Sequence, residues 1–175
     1  MILDLAGFNY FVDQLSISGD GANSAAARVT GPLSILAVGG TLAVGGDGVG
    51  RIEIGDGVQV SAGELRSSQG GFGRVEVAGQ TTGLTVGSAV VLAGGAEIEV
   101  SQGALVSGAA TVVDVSGQGG TAFVTVSDAE WTTSGAALLV GGAGGFGDVV
   151  VEAGAQAEFL SAEIGKDDGA GAVTI

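Results

Sequence analysis

The sequence predicts an all-β chain wound into a right-handed parallel β-helix, a β-solenoid of about eight to nine turns. Three observations carry that expectation. Glycine-rich text recurs in a fixed order along the chain, and apolar residues alternate by two. No segment holds an apolar stripe at helical spacing with caps and good helix formers. Glycine supplies 36 of 175 residues and proline one, Pro32. The glycines follow no three-residue period, which excludes collagen. A hydrophobic content of 46% is too high for a disordered chain.

Residues 1–14 stand apart. Phe8, Tyr10 and Phe11 lie there beside Met1, Ile2, Leu3 and Leu5. They are expected to form an N-terminal cap or incomplete first turn over an otherwise open edge. The competing reading is an exposed aromatic docking patch. Residues 15–175 carry the repeats, truncated within the last one.

Three segment families recur. The first begins at Leu15, Val75, Val113 and Val173. The second covers Gly50–Val60, Ala96–Val106 and Gly147–Ala157. The third is a Leu-x-Val-Gly tetrad starting at Leu36, Leu42, Leu84 and Leu138. Alternation within them sends Ile52/Ile54, Val75/Val77 and Ile98/Val100 to one strand face and Arg51, Glu53, Glu76, Glu97 and Glu99 to water. Without crossover helices, short one-sided strands are buried only by coiling the sheet on itself. The intervals of the first family divide into three, two and three turns of ~20 residues. Such turns bend at glycine corners, with a right-handed crossover favoured. A stacked Greek-key sandwich is the alternative, but it needs two-residue hairpins throughout. Asn-Gly is absent and Asp-Gly is sparse.

The net charge is −14, from 19 acidic and 5 basic residues. Such a field repels phosphate backbones and anionic lipid, so nucleic acid is not an expected partner. With no Cys and no His, thiol chemistry, disulfides and the usual zinc sites are excluded. No apolar run reaches the ~20 residues of a spanning helix. The opening MILDLAGFNYFVDQ lacks the basic start of a signal peptide. The closing Gly171–Ile175 stops within a repeat, so the chain is expected to be a piece of a longer exported protein whose open end associates with itself end to end.

Val126–Gly135, with Trp131 at its centre, is followed by Leu138–Gly142, a Gly-x-Gly corner, Val149–Val151, Ala153-Gly154 and Ala162–Gly165. This order resembles the Gly-rich repeat of type V secretion (autotransporter) passengers and of PEP-CTERM-associated exported proteins. It covers one nearly complete unit and two looser ones over about 22–118, where the Trp-x-x-Ser-Gly part is degraded. The resemblance implies a right-handed β-helix displayed at, or released from, the outer surface of a Gram-negative bacterium.

Residues for catalysis are sparse. Without His there is no usual base for the serines, no Gly-x-Ser-x-Gly elbow is present, and Lys166 is the only lysine and follows no Ser-x-x. Sugar-cleaving β-helices work with carboxylates, and the candidates are Glu97/Glu99, Asp128/Glu130 and Asp167-Asp168. Asp128, Glu130, Asp167 and Asp168 are also the candidate metal ligands, with Ca²⁺ as the cation. Set against this stands the expectation of solvated surface acids. Gly46–Gly50 and Gly144–Asp148 resemble fragments of Ca²⁺-binding nonapeptides, but the array of consecutive copies is missing. Trp131 and the phenylalanines Phe72, Phe123, Phe146 and Phe159 are expected to pack rather than to stack on sugars.

The expected function is therefore a non-catalytic passenger or stalk segment serving display or adhesion. Its expected partner is a glycan or protein on a host or neighbouring cell. The alternative is a polysaccharide-modifying β-helix enzyme, which a carboxylate cluster across adjacent turns would favour.

Overall fold

The computed structural model describes residues 2–20, 23–68, 70–113, 121–134, 138–142, 145–152, 154–166 and 168–175. Its elements are all strands, and every pair of them is parallel. The first sheet stacks β1 (Ile2–Asp4), β4 (Ser24–Thr30), β6 (Val49–Ile54), β8 (Phe72–Ala78), β10 (Ala96–Ser101), β12 (Thr121–Ser127), β15 (Phe146–Val151) and β18 (Ala170–Thr174). The second contains β2 (Asn9–Val12), β3 (Leu15–Ile17), β5 (Ile35–Val44), β7 (Gln59–Ser67), β9 (Gly83–Leu92), β11 (Leu105–Val113), β13 (Glu130–Thr133), β14 (Leu138–Gly142), β16 (Gln156–Phe159) and β17 (Ala162–Lys166). The chain alternates between the sheets, so it is a parallel β-solenoid.

The turn is longer than its repeats suggest. Ile52 pairs with Val75, and Ile98 with Val124, so each turn takes several residues more than the sequence families imply. The result is about six regular turns, preceded by one of shorter strands, in place of eight or nine. The first repeat family misled because it mixes faces: Leu15 belongs to β3 in the second sheet, Val75 to β8 in the first. The second family is sound. Gly50 pairs with Gly73 and Gly73 with Ala96, two turns on.

Inward residues of the first sheet form columns along the axis. Ala27, Ile52, Val75, Ile98, Val124 and Val149 are in register and buried, as are Val29, Ile54, Val77, Val100, Val126 and Val151. The second sheet adds Leu36, Val60, Leu84, Val106 and Trp131 in one column. Each buried aliphatic side chain stabilises by roughly 1.5–3 kcal/mol as an upper estimate. The long strands β5, β7, β9 and β11 shift register against one another near their middles, β5 against β7 at Val38/Thr41, β7 against β9 at Ala62/Leu65, and β9 against β11 at Gly108/Ala110. Such bulges bend a strand. At the same level the strands of the other turns are split, as β2/β3, β13/β14 and β16/β17.

The corners after β1, β4, β6, β8, β10 and β12 each hold a non-glycine residue with positive φ: Ala6, Leu33, Asp56, Thr81, Gln102 and Asp128. Buried hydroxyls knit successive corners together. Ser34 Oγ accepts the Gly7 amide at 2.9 Å, and Thr82 Oγ1 accepts that of Gly57 at 3.0 Å. These bonds supply partners for corner amides that no sheet neighbour reaches.

Candidate functional site: the charged face of the first sheet

The outward positions of β4, β6, β8 and β10 bring Arg28, Arg51 and Arg74 together with Glu53, Glu76, Glu97 and Glu99. Register places Arg28 beside Glu53, Glu53 beside Glu76, and Glu76 beside Glu99, while Arg51 stacks on Arg74 and Arg74 on Glu97. Two arginines one strand apart repel each other, and Glu76 offsets this by bonding both. Its Oε2 accepts from Arg51 Nη2 at 2.7 Å, and its Oε1 lies 2.6 Å from Arg74 Nη2. Arg74 further donates to Glu97 at 3.0 Å and to Glu99 at 2.9 Å. Arg28 is held more loosely, 3.8 Å from Glu53 and 3.9 Å from Asp56.

Partial burial alone would raise the Glu76 carboxyl, but the hydrogen bonds from Arg51 and Arg74 outweigh it and hold the group below its ordinary range. Bonding to Glu76 likewise raises the Arg51 guanidinium. A carboxylate depressed in the folded state contributes stability that is present above its unfolded value, about 4.3, and is lost as pH falls through the folded value. Acid also relieves the self-repulsion of a chain at −14, which acts in the opposite direction. The informative measurement is therefore the stability difference between wild type and Glu76→Gln. It is expected to be roughly 1 kcal/mol at neutral pH and to shrink toward zero below pH ~4. A difference independent of pH in denaturant titrations would contradict the pairing.

Beside this ladder a groove of about 450 Å³ runs along the corners, lined by Arg28, Leu33, Glu53, Asp56, Gln80 and Thr81 among others. The same outward face carries Phe72, Phe123 and Phe146, at 40%, 45% and 40% exposure. These phenylalanines do not fill a layer. Trp131 does: it is wholly buried, and its indole N–H donates to Thr111 Oγ1 at 3.3 Å.

The carboxylates singled out from the sequence are dispersed. Asp128 sits in a corner at φ +46°, not in an extended strand, so it does not share a strand face with Glu130. The two exposed acids line one shallow depression of about 280 Å³ with Gly103, Leu105 and Gln156. Asp168, exposed at φ +64°, follows β17 at the other end of the second-sheet strands. Asp167 lies outside the described residues. Among the described residues no three acidic side chains converge in a way that could hold a metal ion. Glu97 and Glu99 are both engaged by Arg74. No described helix is long and apolar enough to cross a membrane, which says nothing of a β-barrel.

The Arg–Glu ladder was not found by motif reading, although its signal is in the sequence. The interval from Arg51 to Arg74 recurs from Glu53 to Glu76 and again from Glu76 to Glu99, and it equals one full turn. No family profile matches the chain, and no curated protein or solved structure is significantly similar to it. What stands of the autotransporter resemblance is the β-solenoid fold.

Proposed function

We propose that this chain is a non-catalytic segment of an exported bacterial surface protein, a right-handed β-helical passenger or stalk that serves display or adhesion. The observation that carries the reading is the continuity of the solenoid. The aliphatic columns run through successive turns, and each turn contacts mainly its neighbours, the architecture of a spacer. Absence of His and Cys from the sequence removes the commonest acid–base and thiol chemistry. The acidic surface supports an exposed, soluble rod.

A second reading has one specific observation in its favour. Glu53, Glu76 and Glu99 form a carboxylate row across adjacent turns, as a polysaccharide-modifying enzyme would need. That row is bound by arginines, and Glu76 is held ionised, which suits an ion-pair lattice better than a general acid.

The test is an immunoblot of fractionated producing cells with antibody to this chain, combined with protease shaving of intact cells. Signal in the outer membrane or medium that shaving removes is the expected result. A protease-protected cytosolic band would overturn the export reading, and turnover of pectin or alginate by the purified chain would overturn the non-catalytic one.

A further inference from the structure

The corner groove differs from the ion-pair ladder beside it because its polar groups are unspent. Arg28, Asp56, Gln80, Thr81 and Gln102 line it, and their side chains make no direct hydrogen bond among the described residues. Arg28 shows the contrast best. Arg51 and Arg74 hold their carboxylates at 2.6 to 3.0 Å. Arg28 stands 3.8 Å from Glu53 and 3.9 Å from Asp56, with its side chain 54% exposed. Register sets Arg28 in the Glu53 column, two residues nearer the corner than Ala26 in the Arg51 column. At these separations the guanidinium keeps its N–H donors, and the carboxylates keep lone pairs, for a third group.

The corners supply a second, independent observation. Leu33, Asp56, Thr81 and Gln102, the positive-φ residues of four successive corners, all line this groove. A bulky leucine and a β-branched threonine are outliers in that region, and strain of this kind collects at ligand clamps. Leu33 is also 91% exposed, so neither its backbone nor its burial accounts for a leucine there. With Pro32 it gives a polar groove one apolar wall.

Charge narrows the ligand. Glu53 and Glu76 are paired with Arg51, and Glu76 also with Arg74, which leaves Arg28 facing Asp56 in a nearly neutral groove. An anionic ligand meets three lining carboxylates and the field of a chain at −14. A cationic ligand meets Arg28.

We propose that this groove binds a short stretch of an uncharged polysaccharide and is the contact through which the chain adheres. It rests on the adhesion reading for its purpose. A sugar hydroxyl both donates and accepts, so neighbouring hydroxyls accept from Arg28 while donating to Glu53 and Asp56. They fill the gap that the loose ion pairs leave. The C–H face of the same ring lies on Leu33 and Pro32, and Gln80, Thr81 and Gln102 serve the next rings along the axis. Four corners stacked at ~4.8 Å span roughly 14 Å. With a volume of about 450 Å³, that suits a short oligosaccharide better than a single ring.

The test is titration of the isotope-labelled chain, followed by NMR, with cellotetraose, xylotetraose, mannotetraose and maltotetraose. Trigalacturonate, a chitosan tetramer and a lysine-rich peptide serve as charged counterparts. At least one neutral tetraose is expected to shift the amides of Gly55, Gly57, Gly79 and Thr81 saturably. Arg28→Met is expected to weaken that binding about tenfold or more, the loss of charged hydrogen bonds, and Arg66→Met on the second sheet to leave it unchanged. Leu33→Asn separates ligand binding from folding. Asparagine tolerates positive φ, so the variant is expected to melt no lower than wild type while binding several-fold more weakly. No saturable shift with any neutral tetraose would overturn the proposal. So would saturation only by a charged counterpart, or neutral binding that survives both groove substitutions. Failure here by a protein displayed on cells would remove this site and leave the adhesion reading. Saturable binding by a protein confined to the cytosol would do the reverse.

Discussion

Replacing Trp131 by alanine is expected to destabilise the chain by about 3–5 kcal/mol, the range for removing a large buried aromatic side chain. For a chain of this size that lowers the melting temperature by roughly 10 °C or more. The side chain is wholly buried in the column that runs Leu36, Val60, Leu84 and Val106 before it and Ala157 after it. The small Ala157 makes room for a ring where the other turns hold a branched aliphatic residue. Two polar residues accompany it. Thr111 follows Val90 in its column, and Thr133 occupies the position of Gly108 one turn earlier. Thr111 Oγ1 accepts the indole N–H at 3.3 Å and lies 3.2 Å from Thr133 Oγ1. The hydroxyls stand in an apolar core because the indole brings a donor that must be met. Trp131→Phe keeps most of the volume and loses that donor, so its cost is expected to be smaller, about 1–2 kcal/mol. Denaturant unfolding followed by circular dichroism measures both. If the alanine variant matched wild type, Trp131 would not be filling the layer, and a ligand-stacking role would have to be reopened.

The fold was legible because its signal is local. Alternation at Ile52/Ile54 or Val75/Val77 shows strand and face directly, and glycine clusters mark corners. The period was not legible from the same text, because similar short segments recur on different faces. The tetrad at Leu36 ends at Gly39, by the mid-strand register shift, whereas the tetrad at Leu42 ends at Gly45, a corner with φ +72°. Two geometrically different glycines thus produce one written motif. The outward residues were the better ruler. Arg51/Arg74 and Glu53/Glu76/Glu99 all repeat at one interval, because like charges stacked in register coexist only beside a column of the opposite sign. Asp128 shows the opposite limit. Spacing by two suggested a shared strand face with Glu130, and a left-handed corner residue breaks that inference. Nothing about an aspartate in isolation announces positive φ, although Asp tolerates it better than most residues do.

Gly50→Ala is expected to cost about 3 kcal/mol or more, the sum of overpacking and a damaged buried hydrogen bond, for a single added methyl. Gly50 is buried at the start of the inward face of β6, in register with Gly73. A Cβ there would fall well under 3.0 Å from the carbonyl oxygen of Ile17 and the amide nitrogen of Gly45. Those two atoms are the partners of a hydrogen bond, 2.8 Å long, that closes the corner between turns. The methyl would therefore occupy the line of the bond itself. The arrangement repeats: a Cβ on Gly73 would crowd Val44 O and Ser68 N, which are bonded at 2.9 Å one turn later. Two turns along the column the residue is Ala96, which is buried and accommodated. The constraint at Gly50 is thus set by how closely its own corner approaches, not by the strand position in general. The reciprocal change, Ala96→Gly, is expected to cost only about 1 kcal/mol through lost packing and added chain freedom. Thermal unfolding of the two variants separates the cases. Equal and small effects would mean that the corner can retreat from β6, and the columns would then be held by side-chain packing alone.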